Sequence, residues 1–91
     1  IWQLGRHILM CGDAKDPAVI ERLMDGQRAD MVFTDPPYNV PIDGHVCGLG
    51  EVKHREFAEA VGEMTPVQFT QFLTTTLTNA AKVCRDGAIA Y

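Results

Sequence analysis

Two consecutive prolines, Pro36 and Pro37, follow an apolar run that ends at Thr34 and Asp35. Each proline fixes φ at about −65° and lacks a backbone N–H, so neither fits a helix interior or a central strand. Residues 31–34 are therefore predicted to form a strand that stops at Asp35 and continues into a rigid turn. The chain has 91 residues, of which 46% are apolar, which is enough for one small globular domain and not for two.

The segments before this turn predict a strand and a helix. The continuous apolar run at residues 7–11 is typical of a buried parallel strand, and it ends at Asp13. A helix is predicted to begin at Asp16 and Pro17, because aspartate is a favoured N-cap and proline a favoured first helical residue. Gly26 supplies the stop for this helix.

The segments after the turn predict a long loop, a second helix and a third strand. No regular period persists over residues 36–64, and a loop of this length is usually functional. Thr65 and Gln68 form a capping box that begins a helix with an apolar face. Asp86-Gly87 is expected to turn the chain into a strand at residues 88–91. The order β-α-β-loop-α-β predicts an α/β fold with parallel strands and right-handed crossovers.

Composition argues against several classes of protein. No window approaches the roughly 18 apolar residues of a membrane-spanning helix, and no secretory signal opens the chain. The odd number of cysteines, three, favours a reducing cytoplasmic compartment over a disulfide framework. The net charge of −4 is unfavourable for a domain that grips DNA phosphates by itself.

The long loop carries the weakest candidates for a binding site. Lys53, His54 and Arg55 form the one tight basic cluster, which either contacts phosphate or forms a solvated face. His45 and Cys47 lie in the same loop, but with His54 they match no common zinc spacing, so no metal site is expected. Residues 55–60 are compatible with a short helix.

The residue types of the turn suit one kind of chemistry. An exocyclic amino group on a nucleobase is a poor nucleophile, because its lone pair is delocalised into the ring. The Asp35 carboxylate and the Pro36 carbonyl can each accept one N–H bond of such a group, which leaves its lone pair directed at an incoming methyl group. The Tyr38 ring offers a face on which a flipped-out base can stack. The alternative interpretation is an ordinary strand-ending turn with Tyr38 at the edge of a core.

The turn resembles the catalytic motif (D/N/S)PP(Y/F/W) of amino-methyltransferases, in its DPPY form. With the flanking segments 4–7, 11–14, 43–45 and 54–57, the chain resembles site-specific DNA methyltransferases of the permuted β-type, a group that includes phage- and plasmid-associated enzymes fused to a ParB-like nuclease domain. The resemblance covers nearly the whole chain. It implies a Rossmann-like methyltransferase fold, S-adenosylmethionine as cofactor, and double-stranded DNA with a flipped target base as partner.

The resemblance implies catalytic roles for the four residues of the turn, Asp35, Pro36, Pro37 and Tyr38. Asp35 and the Pro36 carbonyl would bind the target amino group, and Tyr38 would stack on the base. The DPPY form is more typical of adenine N6 transfer, and cytosine N4 or an RNA amino group is the alternative acceptor. Asp13 matches an acidic residue close to the cofactor's adenine, with a helix-capping turn aspartate as the alternative. Asn39 either supports the loop or contacts cofactor or base.

The resemblance also predicts that residues 1–91 are a single, partial catalytic domain of a longer chain. The Phe-x-Gly-x-Gly segment that holds the methionine part of the cofactor lies near the C-terminus in this family, and it does not occur here. Strands that the family places in mid-sheet would also be missing. We therefore expect marginal stability, pairing with the missing C-terminal portion or self-association, and no methylation by the isolated chain. A truncated remnant that catalyses nothing is the competing interpretation.

Overall fold

The chain alternates short strands and helices, and the computed structural model describes it over residues 1–41 and 59–91. The elements in chain order are β1 (Trp2–Leu4), β2 (His7–Leu9), α1 (Pro17–Met24), β3 (Ala29–Val32), α2 (Pro66–Lys82) and β4 (Cys84–Ala90). They fall into two compact units, one of residues 1–34 and 72–91 and the other of residues 35–71. This mixed helix-and-strand architecture is compatible with the expected α/β class.

Strands β3 and β4 form a two-stranded parallel sheet, and α2 lies between them in the chain. Val32 lies opposite Ala90, and the ladder continues beyond both strands. The N–H of Tyr91 donates to the Val32 carbonyl, and the N–H of Thr34 donates to the Tyr91 carbonyl, both at 2.9 Å. The expectation of parallel strands is confirmed for this pair.

Strand β4 is longer and less regular than predicted. Between the pairs Ala29–Cys84 and Met31–Ile89, β3 advances by two residues while β4 advances by five. The extra residues of β4 include Gly87, whose φ of +78° is accessible to glycine at little cost. The predicted turn at Asp86-Gly87 is therefore a bulge inside β4, and the strand does not begin at residue 88.

The prediction of a buried parallel strand at residues 7–11 is wrong. β2 ends at Leu9 and pairs antiparallel with β1, with Trp2 opposite Leu9 and Leu4 opposite His7. All residues of both strands are exposed. The physical reason is local: Gly5, at φ +62°, occupies the first central position of a two-residue turn, which suits a tight hairpin. A parallel partner would require a long crossover instead.

Both predicted helix starts are confirmed by their capping contacts. The Asp16 carboxylate accepts a hydrogen bond from the N–H of Ala18 at 2.9 Å, and Pro17 is the first residue of α1. Thr65 and Gln68 form the reciprocal capping box, with bonds of 2.9 and 3.2 Å between each backbone N–H and the other side chain. Helix α1 ends slightly before Gly26, because Asp25 adopts the left-handed conformation that closes it.

The described residues bury little apolar surface. Within the described ranges, Ala60 is the only buried hydrophobic residue, at 0% exposure, and Asn79 is the only buried polar residue, at 6% exposure. The Asn79 amide donates from α2 to the carbonyls of Ala14 and Lys15, at 3.0 and 2.9 Å. Helix α2 is thereby held to the segment after β2 by polar bonds. No helix in the described ranges is long and apolar enough to cross a membrane.

Helix α1 approaches Gly12 closely, and this contact generates a stability prediction. A Cβ at residue 12 would lie 2.5 Å from Cγ1 of Val19. Valine is stiff at χ1 in a helix, so its side chain cannot swing away cheaply. We expect Gly12→Ala to reduce the free energy of unfolding by about 1–3 kcal/mol.

Urea denaturation followed by circular dichroism measures this loss, with Val19→Ala as the matched control. In the double variant Gly12→Ala/Val19→Ala, the γ-methyl groups that the new Cβ would meet are absent. Its loss of unfolding free energy should therefore be smaller than the sum of the losses of the two single variants. Strict additivity of the two substitutions would contradict the close contact.

Candidate functional site

The predicted catalytic turn brings Asp35 and Tyr38 into direct contact. The Tyr38 hydroxyl donates a hydrogen bond to Oδ1 of Asp35 at 2.6 Å. Pro36 and Pro37, which lie between them, are half-buried, whereas Asp35 is exposed and Tyr38 is 68% exposed. The turn therefore presents a carboxylate and an aromatic ring to solvent on a backbone that two prolines restrict.

The contact with Asp35 changes the acidity of Tyr38. The hydrogen bond to the Asp35 carboxylate, together with its negative charge and a small desolvation, raises the pKa of the Tyr38 hydroxyl above its ordinary value. Because the folded-state pKa is raised, the contact stabilises the fold at neutral pH, and this contribution is lost as the pH rises through the folded-state pKa.

Asn39 joins the end of the turn to the segment just before α2. Its backbone is left-handed, with φ of +58°. Its side-chain Nδ2 donates to the Met64 carbonyl at 2.8 Å, and its Oδ1 accepts from the N–H groups of Gly62 and Met64, both at 3.1 Å. Asn39 therefore supports the loop through three hydrogen bonds. A contact of Asn39 with cofactor or base stays a prediction.

The segment that Asn39 holds is itself a tightly bonded turn. The two carboxylate oxygens of Glu63 accept from the N–H groups of Ala60 and Val61, at 2.6 and 2.7 Å. The backbone N–H of Glu63 itself is the main cause that lowers the pKa of this carboxyl; desolvation opposes it, and the N–H groups of Ala60 and Val61 add to the lowering. Gly62, at φ +106°, packs against Pro41, so that a Cβ there would lie 3.3 Å from the ring. Polar bonds and special backbone angles give this turn a defined shape.

Asp13, the predicted cofactor residue, lies in the other unit. Its carboxylate accepts from the N–H of Lys15 at 2.9 Å and forms an ion pair with the Lys15 ammonium at 3.6 Å. Ion pairs between exposed groups contribute about 0–1 kcal/mol. Asp13 thus forms a local turn of the type that aspartate favours, whereas the N-cap of α1 is Asp16. Its cofactor role stays a prediction.

Sequence reasoning missed three polar contributions, from Asn79, Glu63 and the Tyr38 hydroxyl. A signal was available for Asn79, which shares the apolar face of α2 with Phe72 and Ala80 at helical spacing. A polar residue on such a face requires internal hydrogen-bond partners. No comparable signal marks Glu63, because its partners are backbone groups of an irregular segment.

The remaining candidates lie outside the described residues. These are the basic cluster of Lys53, His54 and Arg55, the residues His45 and Cys47, and most of the possible short helix at 55–60. Within residues 1–41 and 59–91, no group of three or more metal-ligating side chains comes together. Cys11 is exposed and Cys84 is half-buried, and both are free thiols.

Comparisons with known proteins place no further constraint on this site. No family model, no curated protein and no solved structure matches the chain. The resemblance to amino-methyltransferases therefore rests on the DPPY turn and the segments that flank it.

The three bonds of Asn39 generate a prediction that needs no assumption about function. Glycine adopts the left-handed backbone freely, so Asn39→Gly removes the side-chain bonds without adding strain. At about 0.5–1.5 kcal/mol for each bond, we expect amide exchange at Gly62 and Met64 to accelerate by about 10-fold or more.

Asp25→Gly is the matched control for this experiment. Asp25 is also left-handed, at φ +46°, but its side chain accepts no hydrogen bond from the described part of the chain. This substitution should leave exchange at Gly62 and Met64 unchanged. If Asn39→Gly also left it unchanged, the side chain of Asn39 would not hold the segment.

Proposed function

We propose that the chain carries the base-binding turn of an S-adenosylmethionine-dependent DNA methyltransferase that acts on adenine N6. The observation that carries the proposal is the solvent-facing pair of Asp35 and Tyr38, joined at 2.6 Å across two prolines. This pair follows β3, a member of the parallel sheet, after Phe33 and Thr34. In open α/β sheets, ligands bind beyond the carboxyl ends of the strands, which is where such a turn belongs.

Each residue of the turn has a defined task in this proposal. The Asp35 carboxylate and the Pro36 carbonyl accept the two N–H bonds of the target amino group, so the nitrogen lone pair points away from both. The carboxylate also stabilises the positive charge that develops on the nitrogen. The exposed ring of Tyr38 provides the stacking surface for a base outside the duplex. Pro37 limits the turn to one backbone path.

The proposal assigns one described residue, Asp13, to the cofactor. When bound, S-adenosylmethionine would supply the methyl carbon, with the electron pair of the broken carbon–sulfur bond left on sulfur, and the amino nitrogen that forms the new bond would lose a proton to solvent. Asp13 has an exposed carboxylate that can accept hydrogen bonds from the adenine part. The sequence contains no Phe-x-Gly-x-Gly segment for the methionine part. In this proposal, the chain supplies the residues that bind the target base and one residue, Asp13, that contacts the cofactor.

The surface of the first unit supports a role for further protein in the active enzyme. Parallel sheets are normally covered on both faces, but Met31 and Ile89 are each 56% exposed, and Phe33 is 81% exposed. A groove of about 460 Å³ is lined mainly by small apolar residues of α2 and β4. We infer that a C-terminal portion of the kind that the resemblance predicts, or a second copy, covers this surface in a Rossmann-like, cytoplasmic enzyme. Because residues 1–91 have a net charge of −4, that portion would also supply most of the contacts with DNA phosphates.

Substitution of Asp35 tests the proposed chemistry. In the intact protein, Asp35→Ala removes one of the two acceptors for the target amino group and the charge beside the nitrogen. Loss of one preorganised electrostatic partner costs about 10²–10³ in rate, so we expect methyl transfer to fall by that factor. Binding of S-adenosylmethionine should be unchanged, because Asp35 faces the base.

Formation of N6-methyladenine in duplex DNA, measured by mass spectrometry, gives the rate, and calorimetry gives cofactor affinity. Glu21→Ala is the matched control, since it removes an exposed carboxylate on α1, outside the turn. Wild-type turnover by Asp35→Ala would refute the assignment, and methylation of cytosine N4 or RNA alone would transfer it to another acceptor.

A further inference from the structure

We propose that the Tyr38 hydroxyl is a positioning group for Asp35, which holds the carboxylate so that one oxygen faces the target amino group. The inference rests on the proposed function, in which the Tyr38 ring stacks on the base. It gives the hydroxyl of the same side chain a separate role. Its basis is the hydrogen bond of 2.6 Å from the hydroxyl to Oδ1 of Asp35.

The contact has the geometry of a strong hydrogen bond. Bonds from a hydroxyl to a carboxylate are typically about 2.5–2.7 Å long and are roughly twice as strong as neutral ones. Both groups are exposed, so water competes for each of them. The bond persists because the turn limits the alternatives: two prolines separate Asp35 from Tyr38, and Asn39 anchors the backbone directly after Tyr38 through three bonds.

The hydroxyl engages one oxygen of the carboxylate and leaves the other oxygen for the substrate. Oδ2 of Asp35 accepts no hydrogen bond from the part of the chain that the structure describes. A target nitrogen needs one N–H bond to the carboxylate and one to the Pro36 carbonyl, so a carboxylate that engaged both N–H bonds would misdirect the lone pair. Occupation of Oδ1 by the hydroxyl favours the required single contact.

The same bond limits rotation of the carboxylate. A free aspartate side chain samples several χ1 wells and a broad range of χ2. A hydroxyl fixed by its ring removes much of this freedom before the substrate arrives, which is the advantage of preorganised catalytic groups. The same bond raises the pKa of the Tyr38 hydroxyl above its ordinary value.

The ring and the hydroxyl can be separated experimentally. Tyr38→Phe retains a stacking surface and loses only the hydroxyl, whereas Tyr38→Ala loses both. The matched control is Tyr91→Phe, which removes the hydroxyl of a tyrosine with the same exposure, 68%, outside the turn.

The expected kinetic result is a loss in kcat for Tyr38→Phe with little change in the KM for DNA. A hydrogen bond to a charged group contributes enough to predict a loss of about 10- to 100-fold in kcat. Tyr38→Ala should lower kcat and raise KM as well. In the Asp35→Ala background, Tyr38→Phe should have no further effect, because the hydroxyl acts only through the carboxylate.

A measurement on residues 1–91 separates this inference from the proposed function. Three-bond couplings to the Asp35 carboxyl carbon report its χ1 rotamer, which should be single in the wild-type chain and in Tyr91→Phe but averaged in Tyr38→Phe. Unchanged couplings would overturn the positioning role whether or not the protein methylates DNA. In the intact protein, wild-type kcat in Tyr38→Phe would also overturn it, and a gain in kcat would show that the hydroxyl obstructs the carboxylate. Absence of any methylation by the wild-type protein would instead refute the proposed function.

Discussion

The loss of backbone donors at Pro36 and Pro37 is the constraint on which the candidate site depends. The parallel ladder of β3 and β4 ends with the N–H of Thr34, which donates to the Tyr91 carbonyl. Beyond Asp35 the chain has two residues in succession without an N–H, so the ladder cannot continue. The restricted backbone then turns. Asp35 and Tyr38, which are three residues apart in the chain, thereby come within hydrogen-bond distance.

Polar contacts define much of the described structure. In the second unit, the Asn39 amide and the Glu63 carboxylate satisfy the backbone groups of residues 60–64. In the first unit, the Asn79 amide joins α2 to the carbonyls of Ala14 and Lys15. Such bonds specify geometry, but their net contribution is only about 0.5–1.5 kcal/mol each. With so little apolar burial, covering the exposed sheet would be a larger source of stability.

The two side chains of the turn illustrate how an exposed site can still be ordered. Exposed groups usually exchange their partners with water, and a bond between them contributes little. Here the backbone on one side is limited by prolines and on the other by Asn39, so less conformational entropy is lost when the hydroxyl meets the carboxylate. A base that stacks on the Tyr38 ring would then meet an acceptor that is already oriented.

The amino-acid sequence by itself determined the features that depend on a few neighbouring residues. Aspartate before Pro17 and the reciprocal pair Thr65 and Gln68 act through bonds within three residues, so they predict the two helix starts correctly. The strand predicted at residues 31–34 is present, but its bounds are Ala29–Val32. The DPPY turn was also visible in this way, although its function stays a proposal.

The tertiary structure alone decided which distant partners meet. Residues 7–11 carry the pattern of a buried strand, but the glycine turn at Gly5 gives β2 a nearer, antiparallel partner. The bulge in β4 arises from its register with β3, whereas the local Asp86-Gly87 signal by itself predicted a turn before the strand. Asn39 and Met64 are 25 residues apart, and Asn79 lies 65 residues from Ala14. Contacts at such separations depend on how the whole chain packs, because amide and carbonyl groups have the same bonding capacity at every position and select partners only through proximity.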